Sequence, residues 1–321
     1  MVFEMPRSPI ISIIMPLYNK RPYVRRAIES VQKQTFNDWE LIIIDDGSTD
    51  GSASEVPLNE TRIRLIRQEN AGPAAARNRG IREARGEFIT FLDADDVYYP
   101  HKLEEEMALL HKGKKAKWMI SAFDREIDNK IEFQGVNDIN GNELHARVLL
   151  VNNALNELSM QGIHIDGLCI DKQLLLSLGG FNEKMRCFEI AEFMIRCALE
   201  QPRVLVYARP LYRVVDVPDS AFKVSRHRID GMSQMGESLY GLSLRYPEFS
   251  QVLIPRSRNA LLSHVTGLIH SDRKREAREC LFHRFPYPRD KKWLKLWILS
   301  WIPNPLLDLK YKKSTLQKFY T

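Results

Sequence analysis

Cysteine is scarce in this chain: four residues, Cys169, Cys187, Cys197 and Cys280, out of 321. None forms a Cys-x-x-Cys pair and no histidine cluster stands near them. That argues against a structural zinc site and makes a reducing, cytoplasmic compartment the simpler setting. Long apolar runs are missing too. The run Ile10–Leu17 is too short to span a bilayer, contains Pro16 and is followed by no small-residue cleavage site, so it reads as a buried strand rather than a signal peptide. There is no internal repeat and no low-complexity tract.

What is present belongs to a soluble globular protein. Apolar residues make up 44% and charged residues 27%, and the length suits one large α/β domain plus a smaller appendage. The net charge of +6 is unevenly spread: from Ser271 onward there are 13 Lys/Arg against 5 Asp/Glu, which leaves the body near neutral. A basic tail on a neutral body implies an anionic partner surface.

Over the first hundred residues strand and helix alternate. Ile10–Met15, Glu40–Ile44, Ile63–Ile66 and Glu87–Leu92 are apolar, largely β-branched runs. Helical spacing links Tyr23, Ala27, Ile28 and Val31, then Ala74–Ala84, then Leu103, Met107 and Leu110. This order predicts βαβ units and a mostly parallel sheet, whose ligands gather at the carboxyl ends of the strands. The polar segments Tyr18-Asn19-Lys20, Asp45-Asp46-Gly47-Ser48 and Asp93-Ala94-Asp95-Asp96 stand at those ends. The stretch from 115 to 220 is less regular. It has short strands at Lys117–Phe123, Lys130–Phe133 and Leu168–Ile170, a helix at Cys187–Leu199, and closing strands at Val204–Tyr207 and Leu211–Val215. From about Ser225 helical spacing takes over.

Asp93 and Asp95, one residue apart after a buried strand, suit a divalent cation and the diphosphate it holds. An acidic helix N-terminus is the plainer alternative. Asp46 can accept hydrogen bonds from a base or ribose, or belong to an ordinary turn. Arg77 follows Gly72-Pro73 on a helix and can pair with phosphate or carboxylate, or lie on an exposed face.

Together these segments resemble the family 2 glycosyltransferases. The likeness rests on Ser12–Asn19, Asp45–Asp50, Gly72–Gly80 and Ala84–Asp96, and it covers residues from about 10 to 215, densely up to 100. It implies a GT-A fold: a Rossmann-like α/β domain, mostly parallel in its central sheet, with helices on both faces and here a C-terminal helical extension. The nucleotide half would span about 1–115, the acceptor half 116–225 and the extension 226–321. By the family pattern Pro16 and Tyr18 line the nucleotide pocket, Asp46 reads base or ribose, and Arg77 approaches the nucleotide and the acidic loop. Asp93 and Asp95 form the Asp-x-Asp motif, with Asp95 the direct ligand of Mn²⁺ or Mg²⁺. The implied reaction moves a sugar from a nucleoside-diphosphate donor, commonly a UDP-sugar, to a saccharide or lipid-linked saccharide hydroxyl, with inversion.

Two departures stand out. Gly180-Phe181-Asn182-Glu183 replaces the family's Gly-Phe-Asp-Glu, and an ungapped continuation puts Glu189 on the family's Glu but Ile190 where its Asp base belongs. Isoleucine cannot take a proton. Glu189, or Glu192 one turn on, then serves as base, or the acceptor brings its own, or the chain binds donor without transferring it. After Tyr212-Arg213 the family often places a His; here Val214-Val215-Asp216 follows, and His164 reads more readily as structural than as a substitute.

In the tail, Trp293, Trp297 and Trp301 recur at four-residue spacing beside Lys291, Lys292 and Lys295. That is the composition of an interfacial helix on the anionic inner face of the cell membrane; equally, it suits a helix docking on the protein's own body with its lysines solvated. The body has no recognition motif or basic stripe for nucleic acid.

Overall fold

A computed structural model describes residues 8–112, 116–128, 130–138, 140–145, 148–158, 163–185, 187–218, 225–284 and 286–301. The chain divides into two compact units, Met1–Ser220 and Ala221–Thr321. The first unit contains, in order, β1 (Ile11–Leu17), α1 (Arg21–Gln32), β2 (Trp39–Asp45), β3 (Ile63–Arg67), α2 (Pro73–Glu83), β4 (Phe88–Phe91), β5 (Val97–Tyr98), α3 (Lys102–Lys112), β6 (Trp118–Ile127), β7 (Lys130–Gln134), β8 (Val148–Val151), α4 (Ala154–Glu157), β9 (Leu168–Asp171), α5 (Lys172–Ser177), α6 (Glu189–Glu200) and β10 (Val204–Val215).

These strands form one sheet in the order β3-β2-β1-β4-β9-β6-β10-β5, with β7 added to β6 and β8 to β10. Strands β3, β2, β1 and β4 are all parallel. Strand β9 runs against both its neighbours, β4 and β6, and β10 then runs parallel to β6, in the direction of β1. This is the expected GT-A architecture. Successive side chains of β1 and β2 point to opposite faces and both sets are buried, which is why these strands read as continuous apolar runs. Ile11, Ile13, Met15, Leu41 and Ile43 pack with α1 residues Val24, Ala27 and Ile28 and α3 residues Leu103 and Met107. Each of these side chains other than Ala27 contributes on the order of 1.5–3 kcal/mol.

The opposite face is tight where α2 crosses β1. A Cβ on Gly80 would stand 2.5 Å from Ile14 Cγ2. Gly80→Ala is therefore expected to destabilise the protein, because overpacking of about 1–3 kcal/mol outweighs a helix-propensity gain of up to about 1 kcal/mol. A lower urea midpoint at unchanged slope would show it; an unchanged midpoint would mean the crossing relaxes freely. One expectation is modified. The two closing strands are a single strand, β10, with register shifts around Pro210, whose missing N–H interrupts the ladder without ending the strand.

The second unit is helical: α7 (Ser225–Arg245), α8 (Ser250–His270), α9 (Lys274–Glu279) and α10 (Lys291–Leu299). Ser257 Oγ donates to Gly236 O at 2.5 Å, and His264 Nδ1 lies 2.7 Å from Ile229 O. These contacts pair α7 and α8 antiparallel. Asp290 caps α10, its Oδ1 accepting from Lys292 N and Trp293 N. The tryptophan ladder is real: Trp293 stacks on Trp297, which meets Trp301 edge-on. Its first rung, however, is turned inward. Trp293 and Leu296 join a core with Ile229, Leu262, Val265 and Leu281. Ile302 and the lysines at 310, 312 and 313 lie outside the described residues. Among the described residues no helix is long and apolar enough to cross a membrane.

Candidate functional site

The register puts the carboxyl ends of four strands on one rim: Leu17 pairs with Asp45, Asp45 with Arg67, and Ile14 with Phe91. The loops that follow are knit together. Asn19, in the left-handed region at φ 50°, has its Oδ1 accepting from Thr49 N at 2.8 Å, while its own N donates to Ser48 Oγ. Lys20 N donates to Ser52 Oγ and Arg21 N to Asp50 Oδ2. Asp46 is buried; it accepts from Gln68 Nε2 and Ala71 N through Oδ1 and from Gly72 N through Oδ2. Its carboxylate thus ties the loop after β2 to the start of α2. Pro16 is partly exposed in the last turn of β1, and Tyr18, 48% exposed, projects beyond it.

Arg77 is 3% exposed and joins the two halves of this unit. Its Nη2 donates to Asp93 Oδ1 and its Nη1 to Glu189 Oε1, both at 2.9 Å. Burial works against its charge, but the two carboxylates outweigh it and raise its pKa further. Burial likewise opposes the charge of Asp93, yet Arg77, with His164 and Lys20 beyond, holds that carboxyl below the usual range. Asp95 takes a different place. Its Oδ2 lies 3.0 Å from Lys20 Nζ, and burial together with neighbouring Asp93 raises its pKa.

The turn Asp96 N→Asp93 O, 3.0 Å, swings Asp96 inward beside Asp93, while Asp95 meets Lys20. Because β9 is antiparallel, the segment preceding it arrives at this same rim. Asp166, fully buried, accepts Asp93 N at Oδ1, and His164 Nε2 stands 3.7 Å from Asp96 Oδ2 and 3.9 Å from Asp93 Oδ2. Asp96 Oδ1 accepts Val215 N, which anchors the cluster to β10. Burial pushes Asp96 and Asp166 well above the usual carboxylate range; the charges of Asp166, Asp95 and Asp93 add to it at Asp96, and that of Asp93 adds to it at Asp166. Burial also lowers the His164 pKa to about 4.

Ligand atoms of Asp93, Asp96, His164 and Asp166 lie within 4.8 Å of one another. Asp166 Oδ2 is buried and receives no hydrogen-bond donor. Crowded acids of this kind are relaxed by a shared proton or by a cation, and the oxygen-rich set suits Mg²⁺ or Mn²⁺. The residues present therefore fit a divalent ion. Asp166 and the inward turn of Asp96 were not singled out as site residues in the sequence; the spacing His164-x-Asp166 directly before an apolar strand is the signal that could have marked them. Of the two candidate bases, Glu192 is committed elsewhere. It forms a two-oxygen pair with Arg196, which also donates to Leu178 O and Gly180 O. Glu189 is buried at the first turn of α6, preceded by Phe188 at φ 65°.

Residues 12–151 match the family described as Glycosyl transferase family 2. Over 106 residues, 32% of this chain and 42% of the relative, the sequence is 42% identical to the Escherichia coli UDP-Glc:alpha-D-GlcNAc-diphosphoundecaprenol beta-1,3-glucosyltransferase WfgD. The chain spans between 15% and 42% of the length of such relatives. Among solved structures it resembles Staphylococcus aureus TarS 1-349 in complex with UDP-GlcNAc (TM-score 0.58, 18% identity, 89% of each chain). It also resembles the Pyrobaculum calidifontis mannosyltransferase PcManGT in complex with GDP-Man and Mn²⁺ (TM-score 0.54, 18% identity, 96% of this chain and 89% of that one). At these identities the structural likeness speaks for the fold.

Proposed function

We propose that the chain is a family 2 glycosyltransferase, in keeping with the match of residues 12–151 to that family, and that it moves a sugar from a UDP-sugar to a saccharide or lipid-linked saccharide hydroxyl, with inversion, in surface-glycan assembly. One observation carries the reading: a single buried guanidinium, Arg77, links the acidic loop after β4 to Glu189 on α6. Donor-side and acceptor-side carboxylates are thereby held one side chain apart.

In this reading Pro16 and Tyr18 border the nucleotide. Asp46 supports that pocket by fixing the loop at 68–72, and Lys20 and Arg77 set the charge around Asp93 and Asp95. A Mn²⁺ or Mg²⁺ held by Asp95 and Asp93, with Asp96, His164 and Asp166 behind, would neutralise the departing diphosphate. Glu189 takes the acceptor hydroxyl proton, the acceptor oxygen bonds to the anomeric carbon, and the bond from that carbon to the diphosphate oxygen breaks.

A second reading has its own support. Ile190 stands where the family's base belongs, and Glu189 is held by Arg77 at 2.9 Å, which favours donor binding without transfer. The test combines binding and turnover. UDP-sugars should raise the melting temperature only with Mn²⁺ or Mg²⁺, by up to about 2.7 kcal/mol of stability at a hundredfold excess over Kd, and Asp95→Ala should abolish the shift. No shift with any nucleotide sugar would sink both readings. Ile190→Asp separates them: a large gain in turnover marks the natural chain as impaired, whereas little change together with loss in Glu189→Gln assigns the base to Glu189.

A further inference from the structure

Helix α10 has two unlike sides. The inner one seats Trp293 and Leu296 in the core, with Trp293 Nε1 donating to Leu281 O at 3.2 Å. The outer one carries Lys291, Leu294, Lys295 and Ile298, at the three- and four-residue spacing of one helical face, and Trp301 follows two residues past its end. Leu294 is 49%, Ile298 47% and Trp301 61% exposed. Phe282 on the preceding turn, also exposed, meets Trp293 and Trp297 edge-on. Cations border this row. Arg278 lies 4.2 Å over the Trp301 ring and Arg289 5.1 Å over that of Phe282. The nearby carboxylate of Asp290 is occupied in capping α10 and pairing with Arg258.

Single exposed apolar side chains are ordinary; a row of four rimmed by cations marks an interaction surface. Its chemistry selects the partner. Protein interfaces are depleted in lysine at their cores, and single-stranded nucleic acid is met by aromatics and cations rather than aliphatic side chains. A bilayer boundary takes all three kinds at once: Leu, Ile and Trp enter at the level of the acyl boundary while lysines stay with the phosphates. We propose that this face of α10 docks on an anionic lipid bilayer, lying in the plane of the interface. At nine residues the helix is too short to cross. The excess of 13 Lys/Arg over 5 Asp/Glu from Ser271 onward matches the charge of such a surface. No step of this rests on the glycosyltransferase reading.

The test sediments the whole chain with sucrose-loaded vesicles of phosphatidylcholine, alone or with an equal part of phosphatidylglycerol. The chain should pellet with the anionic vesicles at least about tenfold more readily than with the neutral ones, and less as salt rises. Leu294→Ser, Ile298→Ser and Trp301→Ser combined should cut this at least about tenfold. Should that variant fold poorly, Lys291→Glu, Lys292→Glu and Lys295→Glu, all at exposed positions, should give the same loss. Brominated acyl chains should quench wild-type tryptophan fluorescence, and Trp301→Phe should remove most of that quenching. Absence of vesicle binding, or binding unchanged in both variants, overturns the proposal. So does self-association that the serine variant abolishes, which would give the face to a second copy, or equal binding to an oligonucleotide.

Discussion

Arg77→Met is expected to abolish sugar transfer and to cost about 3–5 kcal/mol of stability, toward the lower end because one of its partners is partly hydrated. Arg77 and Glu189 have side chains only 4% and 8% exposed, against 24% for Asp93. Methionine fills the space but leaves two carboxylates facing one another without their cation, and that uncompensated charge is the source of the loss. The pH dependence identifies the mechanism. Asp93 has its pKa lowered in the folded protein, so its contribution is present above the ordinary carboxylate pKa of about 3.9 and fades as pH falls through the folded value. The penalty of Arg77→Met should therefore be full at pH 7 and shrink by about pH 3, below the ordinary carboxylate pKa. Urea unfolding at both pH values measures it. A variant as stable as wild type at pH 7 would show that the bridge does not hold the loop. Arg77→Lys should fall between, since one ammonium lacks the fork that reaches both partners at 2.9 Å.

The half of the site on β1 to β4 was legible in the sequence because its causes are local. Buried parallel strands need unbroken apolar runs, and their carboxyl-end loops need Asp, Asn, Gly and Ser to close on themselves. The segments that carry Asn19 and Asp46 could be read off in that way. Two things could not. The sequence Asp93-Ala94-Asp95-Asp96 does not say which carboxylates come together; that is decided by the turn from Asp96 N to Asp93 O, which sets Asp96 beside Asp93 while Asp95 meets Lys20. Nor does it say that β9 runs antiparallel, and only that reversal carries His164 and Asp166 some seventy positions along the chain back to Asp93. The tail gave a similar half-answer. Four-residue spacing put Trp293, Trp297 and Trp301 on one helical face, and consecutive rings do touch, but periodicity cannot tell which side of a helix finds a core: Trp293 lies within it and Trp301 is exposed.

Asp166→Asn is expected to stabilise the metal-free protein by on the order of 1–3 kcal/mol at pH 8 while weakening its response to Mn²⁺. Asparagine keeps an oxygen to accept Asp93 N and adds an amide that can donate toward Asp96, so the geometry survives and one buried charge goes. The sign follows from linkage. Asp166 and Asp96 have folded pKa values raised by burial and by the charge of Asp93, so the wild type loses stability as pH climbs from about 4 through those values. His164 runs the other way. With its pKa lowered to about 4, it costs stability as pH falls from the ordinary value of about 6.5. The Asp166→Asn substitution should leave that acid limb in place and flatten the alkaline one, so the two proteins converge near pH 4 and separate steadily above it. Added Mn²⁺ should reverse their order, because a cation relieves the crowding that the substitution has already removed. A variant less stable than wild type at pH 8 without metal would mean the carboxylates are not in conflict. The cluster would then be a settled part of the core rather than strain held ready for a cation.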